Sequence, residues 1–180
     1  MLKQEFIKEY CLSDKIPDTA EKCAVGAGQL AEVISSFLDA NFRGAYELEI
    51  ALNENGYLAI SVDYLAYFMR TLLADIYGRS LLHIKLFSDF GKMQFEASYT
   101  PVRLTEGEEA ELRRIAEYAG FKVSFYRSRV FICSQLSGSY TTSLYAISPD
   151  SLRGIFSFCF FGENARRIER YNKDVKGLRL

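Results

Sequence analysis

The sequence predicts an α+β fold, a two-layer sandwich of a mixed, largely antiparallel sheet covered by helices, with an N-terminal helical segment. Its apolar period switches repeatedly between helical and strand spacing along 180 residues. Two turn signatures, Asn53-Glu-Asn-Gly56 and Ser88-Asp-Phe-Gly91, separate alternating segments. The composition is that of a packed domain, 49% apolar and 25% charged with 3 Pro. Its aromatic load of 14 Phe and 12 Tyr, without Trp, suits strands and sheet cores.

Residues 3 to 12 can form a short helix ending near Ser13, Asp14 and Pro17. Asp18 or Thr19 can cap a second helix from Ala20 to Leu38, where Val25, Leu30, Val33, Ile34 and Leu38 recur at roughly helical spacing. Gly26 and Gly28 weaken its middle, and either allow close packing or split it in two. Tyr46, Leu48, Ile50 and Leu52 then alternate with Glu47, Glu49, Ala51 and Asn53 as a half-exposed strand, and Leu58 and Ile60 make the return strand of a hairpin. Asp63 can cap a helix whose stripe is Leu65, Phe68, Met69, Leu72, Leu73 and Ile76, stopped by Gly78.

Leu82, Ile84 and Leu86 form one face of the next strand, with His83 and Lys85 opposite, and Met93, Phe95, Ala97 and Tyr99 alternate on its return. Thr105 and Glu108 have capping-box spacing ahead of Leu112, Ile115, Ala116 and Ala119, and Gly120 ends that helix. Strands follow at residues 121 to 126, 129 to 135 and 140 to 147, with Pro149 setting off a further apolar strand at Ile155 to Phe161 and a terminal helix at 163 to 173. The domain division is a helical segment at 1–40, the sandwich at 41–161 and a basic helix and tail at 162–180.

Formal net charge is −1, so the whole molecule gives no reason to expect nucleic acid. The charge is uneven: residues 1–152 carry 15 basic and 20 acidic side chains, and residues 153–180 carry 7 and 3. Arg166, Arg167, Arg170, Lys173, Lys176 and Arg179 could meet an acidic partner, although a solvated helix face explains them as well. Cys11, Cys23, Cys133 and Cys159 form no CxxC pair and read as reduced, packed thiols. The N-terminus has no signal-like apolar core and no apolar run spans a bilayer, so a soluble cytoplasmic protein is the expectation.

The order of helix, strand pair and helix resembles the ATP-binding domain of sensor histidine kinases, over approximately residues 20 to 147. The stretch Thr71-Leu-Leu-Ala-Asp75-Ile76 is similar to that family's asparagine box, and Ile60-Ser-Val-Asp63 to its lead-in. By this resemblance Thr71 and Asp75 are the nucleotide-binding positions, with Asp75 as a hard oxygen ligand if magnesium is held, and residues 20 to 40 take the place of a dimerisation helix. The departures matter more. Thr71 and Asp75 replace the family's asparagines, and a solvent-facing helix residue near Gly78 is the ordinary account of Asp75. After the strand at 92 to 99 the chain reads Thr100-Pro-Val-Arg-Leu104, with neither the Asp-x-Gly-x-Gly nor the second glycine-rich segment the resemblance implies. A link of 5 residues containing Pro101 offers few N–H donors to phosphate, and Glu106, Glu108 and Glu109 at the next helix start repel a triphosphate.

Other chemistry is thinly supported. His83, the single histidine, lies on a strand's polar face, where a surface residue is the ordinary reading and a general base the sharper one. A Cys/His zinc site would need distant cysteines to converge. Ser137 lies in a turn, Glu47 and Glu49 share an exposed strand face, and the two glycines of Cys23-Ala-Val-Gly-Ala-Gly28 follow no strand in this reading. Arg127 and Arg129 beside Phe125, Tyr126 and Phe131 could stack on bases but also suit a solvated hairpin tip.

These residues point to a non-catalytic, histidine-kinase-like domain acting through protein interaction, with no catalytic residue, metal site or cofactor assigned. Self-association or a signalling protein is the expected partner, and residues 20 to 38 the docking element. A magnesium-dependent ATP-binding kinase or ATPase with an altered lid, and a small-molecule sensor or nucleic-acid-binding module, are the alternatives.

Overall fold

The computed structural model describes residues 21–41, 46–52, 56–76, 81–135 and 146–161. The early helix at 3 to 12, the caps at Asp18 or Thr19, Gly78, Ser137, most of the strand at 140 to 147 and the basic end lie outside these residues. Strand β1 (Cys23–Gly26) leads into helix α1 (Ala27–Asn41), β2 (Tyr46–Ala51), β3 (Tyr57–Ile60) and helix α2 (Val62–Ile76). Then come β4 (Leu82–Asp89), β5 (Lys92–Ser98), helix α3 (Glu106–Ala119), β6 (Lys122–Tyr126), β7 (Arg129–Gln135) and helix α4 (Pro149–Phe161). Five strands form one sheet in the order β2-β4-β5-β7-β6, and β1 and β3 pair separately. The two-layer α+β architecture is as the sequence predicts.

Alternation decides the sheet's two faces. Leu82, Ile84 and Leu86 of β4, Met93, Phe95 and Ala97 of β5, and Val130 and Ile132 of β7 are buried beneath the helices. His83 and Lys85 face away, in register with Glu47 and Glu49 of β2. The β4–β5 turn closes at Phe90 and Gly91, both at positive φ (49° and 70°), the pairing that a two-residue type I′ hairpin requires.

Three expectations give way to longer-range geometry. Asn53 to Gly56 does not close a hairpin: β2 pairs in parallel with β4, and β3 pairs antiparallel with β1. Parallel neighbours need a crossover, and β3 with α2 provides it. The second helix does not begin at Ala20. Residues 23–26 are β1, and the helix starts at Ala27, so Gly26 marks a strand-to-helix junction. Gly28 faces open space and is not a close-packing site. Finally, residues 155–161 are helix, not strand. Pro149 takes the first turn, where it loses no hydrogen bond, and the Ser148 hydroxyl accepts from the Ser151 N–H as a cap. A short apolar run is ambiguous between buried strand and buried helix, and here Leu152 and Phe156 are buried at helical spacing.

α4 decides the surroundings of α2, which packs against both α3 and α4. Every residue from Leu65 to Ile76 is buried as a result, not only the predicted stripe. The α1 stripe of Leu30, Val33, Ile34 and Leu38 also lies in the core of the same chain, together with β1, so residues 23–41 share one core with the sheet.

Ser61, not the expected Asp63, occupies the cap position of α2, its carbonyl accepting from the Leu65 N–H at 3.0 Å, and Asp63 stands in the first turn. Partial burial raises the Asp63 carboxyl above its ordinary value of 3.8, against a backbone hydrogen bond that lowers it. The folded state therefore holds this proton more tightly than the unfolded chain. Its contribution is favourable in acid and is lost as pH rises from about 3.8 through the raised folded value. In urea titrations across that window, Asp63→Asn is expected to flatten this part of the stability slope. Phe156→Ala should cost about 3–5 kcal/mol in the same assay, because it empties a core position that α4 fills.

Candidate functional site

Thr71 and Asp75 stand one turn apart on α2, but neither faces solvent. The Thr71 hydroxyl donates to the Tyr67 carbonyl at 2.9 Å, bonding back within its own helix. Asp75 is 1% exposed, which replaces the expectation of a solvent-facing helix residue. The cause is α2's complete enclosure. Beside them Arg70 is 6% exposed, with its guanidinium carbon 4.4 Å from the centroid of the Tyr67 ring. The ring face receives the cation, a contact that strengthens as water is excluded. Sequence reading passed over Arg70, although its place three residues after Tyr67 on one helix face was the available signal.

The link from β5 to α3 is packed inward. Tyr99 donates its N–H to the Ser128 carbonyl at 2.9 Å, and the Val102 N–H turns back to the Tyr99 carbonyl at 2.9 Å. Thr100 accepts from the Leu81 N–H at 3.3 Å, tying the link to the start of β4. The side chains of Tyr99, Val102 and Leu104 all join the core. Burial, with the Glu109 carboxylate adding to it, pushes the Tyr99 hydroxyl well above its ordinary value and keeps it neutral. The apolar spacing of Val102 and Leu104 was the sequence signal that this segment is core rather than lid.

α3 begins as its capping box requires. Thr105 Oγ1 accepts from the Glu108 N–H at 3.2 Å, and Glu108 Oε1 accepts from the Thr105 N–H at 3.0 Å. The helix start thus uses its own side chains for donors that a phosphate would otherwise meet, and it presents Glu106, Glu108 and Glu109. Gly120 ends the helix at φ 93°, with its N–H bonded to the Ala116 carbonyl.

Elsewhere the sequence candidates stay apart. His83 Nδ1 lies 2.9 Å from Glu47 Oε2 across the β2–β4 pair, and Lys85 Nζ lies 3.8 Å from Glu49, on the open sheet face. Arg129 reaches Glu96 at 3.6 Å, whereas Arg127 lies over the Tyr126 ring at 5.4 Å. Cys23 and Cys133 are free thiols, the first buried and donating to the Ile60 carbonyl. Among the described residues no group of three His, Cys, Asp or Glu could hold a metal ion. No helix among them is long and apolar enough to cross a membrane. A cavity of about 40 Å³ lies between the layers among Leu30, Ile34, Leu58, Met69, Met93 and Phe95, apolar and far smaller than a nucleotide pocket.

No protein-family model matches the sequence, and no curated protein matches it. Solved structures similar to the chain include the cytoplasmic segment of the histidine kinase QseC, at 11% identity over 76% of this chain and 90% of that one, with a TM-score of 0.46. The catalytic domain of the histidine kinase ThkA, in a nucleotide-free form, is 8% identical over 67% of this chain and 99% of its own, with a TM-score of 0.48. For the histidine kinase domain of the E. coli osmosensor EnvZ the values are 10%, 76%, 99% and 0.42.

Since the link is core, Leu104→Ala should destabilise the protein by about 2–3 kcal/mol in chemical denaturation. Thr105→Ala, which removes only the cap, should cost about 1 kcal/mol.

Proposed function

We propose that this chain is a non-catalytic domain of histidine-kinase-like fold that regulates signalling by binding protein partners, either a second copy of itself or a related signalling protein. One observation carries the reading. The segment that would have to open around a nucleotide is a short link whose Val102 and Leu104 are buried in the core, directly ahead of an acidic, self-capped helix.

Magnesium-ATP does not fit these residues. A triphosphate needs several convergent N–H donors and a positive field, whereas the first turn of α3 offers three carboxylates and a closed capping box. Magnesium gives up its water reluctantly and prefers a ligand set that leaves room for several waters. Asp75, enclosed within the helix layer, leaves no such room, and Thr71 has turned its hydroxyl to the Tyr67 carbonyl. Thr71 and Asp75 are accordingly proposed as remnants of a nucleotide box that now serve packing.

Regulation then works by occupancy: the domain covers, or competes for, a surface on its partner, and selectivity comes from the arrangement of surface charge. The buried stripe of α1 cannot be that surface unless the core opens. Among the described residues, the exposed sheet and its edges offer such a surface.

Isothermal calorimetry with ATP and magnesium tests the reading. No saturable binding is expected for the wild-type chain or for Asp75→Ala. Saturable binding in the wild type that Asp75→Ala abolishes would instead establish a working nucleotide site.

A further inference from the structure

We infer that this chain self-associates head to tail, the free edge of β2 in one copy pairing antiparallel with the free edge of β6 in the next to extend the five-stranded sheet. The inference deepens the reading of a protein-binding domain and rests on it for its purpose.

Strand direction comes first. Among the described residues no strand pairs with the outer edge of β2 or of β6. β2 runs parallel to β4, and each later step, from β4 to β5, β7 and β6, is antiparallel. Three reversals leave β6 pointing opposite to β2. A second copy set beside the first, with its helices on the same side, therefore brings these two edges together as an antiparallel pair.

Charge then distinguishes this pairing from its rivals. β2 carries two acidic residues and no basic one, with the Glu47 and Glu49 side chains 68% and 58% exposed although each already meets a β4 side chain, Glu47 the His83 ring at 2.9 Å and Glu49 the Lys85 ammonium at 3.8 Å. β6 with its turn residue carries Lys122 and Arg127, both exposed, and no acidic residue. Exposed like charges keep two β2 edges apart and two β6 edges apart, the ordinary protection of an edge strand. The same charges attract where β2 meets β6. Symmetric contacts are penalised and the heterologous one is left open.

Apolar surface adds a register. Tyr46 and Leu48 on β2, and Val123 and Phe125 on β6, are only partly buried against the core, and Ile50 is 47% exposed. Keeping both helix layers on one side, the register that sets Tyr46 opposite Phe125 and Leu48 opposite Val123 also sets Glu49 opposite Lys122. Each inner face then covers the other's apolar residues, while the charged pair meets on the open face.

Sedimentation velocity from about 10 μM to about 1 mM, at low and high salt, tests this. Weight-average mass should rise with concentration and fall with salt. Glu49→Lys and Lys122→Glu should each weaken association about fivefold. An equimolar mixture of the two variants, or the double variant, should recover it. A monomer throughout, single variants without effect, or a mixture that fails to recover would each overturn the pairing. Both side chains are exposed, so the variants keep the fold, and unchanged melting curves verify it. Failure here would leave the nucleotide question, read by calorimetry, untouched.

Discussion

The structure depends on the enclosure of α2. The sheet lies on one side of it, and α3 and α4 pack against its other flanks, so every residue from Leu65 to Ile76 is buried. Full burial of a large apolar side chain is worth about 1.5–3 kcal/mol, and Phe68, Leu72 and Ile76 each reach it. The same enclosure traps Arg70, Thr71 and Asp75, and a buried polar group is costly unless something answers it. Thr71 is answered by the Tyr67 carbonyl and Arg70 by the Tyr67 ring, so one tyrosine serves both. A helix so placed is the axis on which the sheet and the two flanking helices pack.

Packing on α2 also governs the link between β5 and α3. With α3 held against α2 and Tyr99 held by Ser128, five residues must cover the gap between them. They do so by turning at Thr100 and Pro101 and sending Val102 and Leu104 inward. A loop that contributes two core side chains cannot swing out without exposing them. Closure of this end of the sandwich is therefore part of folding.

Because the helices spend most of their apolar faces on one another and on the sheet, the open sheet face is, among the described residues, a main remaining contact surface. The open face carries polar pairs across strands, the Glu47–His83 contact and the ion pairs of Glu49 with Lys85 and Glu96 with Arg129, each solvated enough to contribute little to stability. Their value lies in placement. The acidic members of two of them lie on the outer strand β2, while Lys122 and Arg127 lie at the opposite edge, which bears on which surfaces can approach and in what orientation.

Much of this was legible in the sequence. Period changes located α2, β4, β5 and α3, and Thr105, Glu108 and Gly120 specified the ends of α3 through contacts a few residues long. The departures from a nucleotide-binding pattern after Tyr99 were equally plain, because they concern residue types that a phosphate site needs locally. Strand partners were another matter: the turn residues before Gly56 suited a hairpin, yet β2 and β3 found other neighbours, since pairing is decided by packing across the whole sheet. The apolar run at Ile155 to Phe161 could have been strand or helix until α2 supplied the surface it covers. Asp75 looked exposed for the same reason: a residue's own helix says which face it occupies, and only the second helix packed on that face says whether water reaches it.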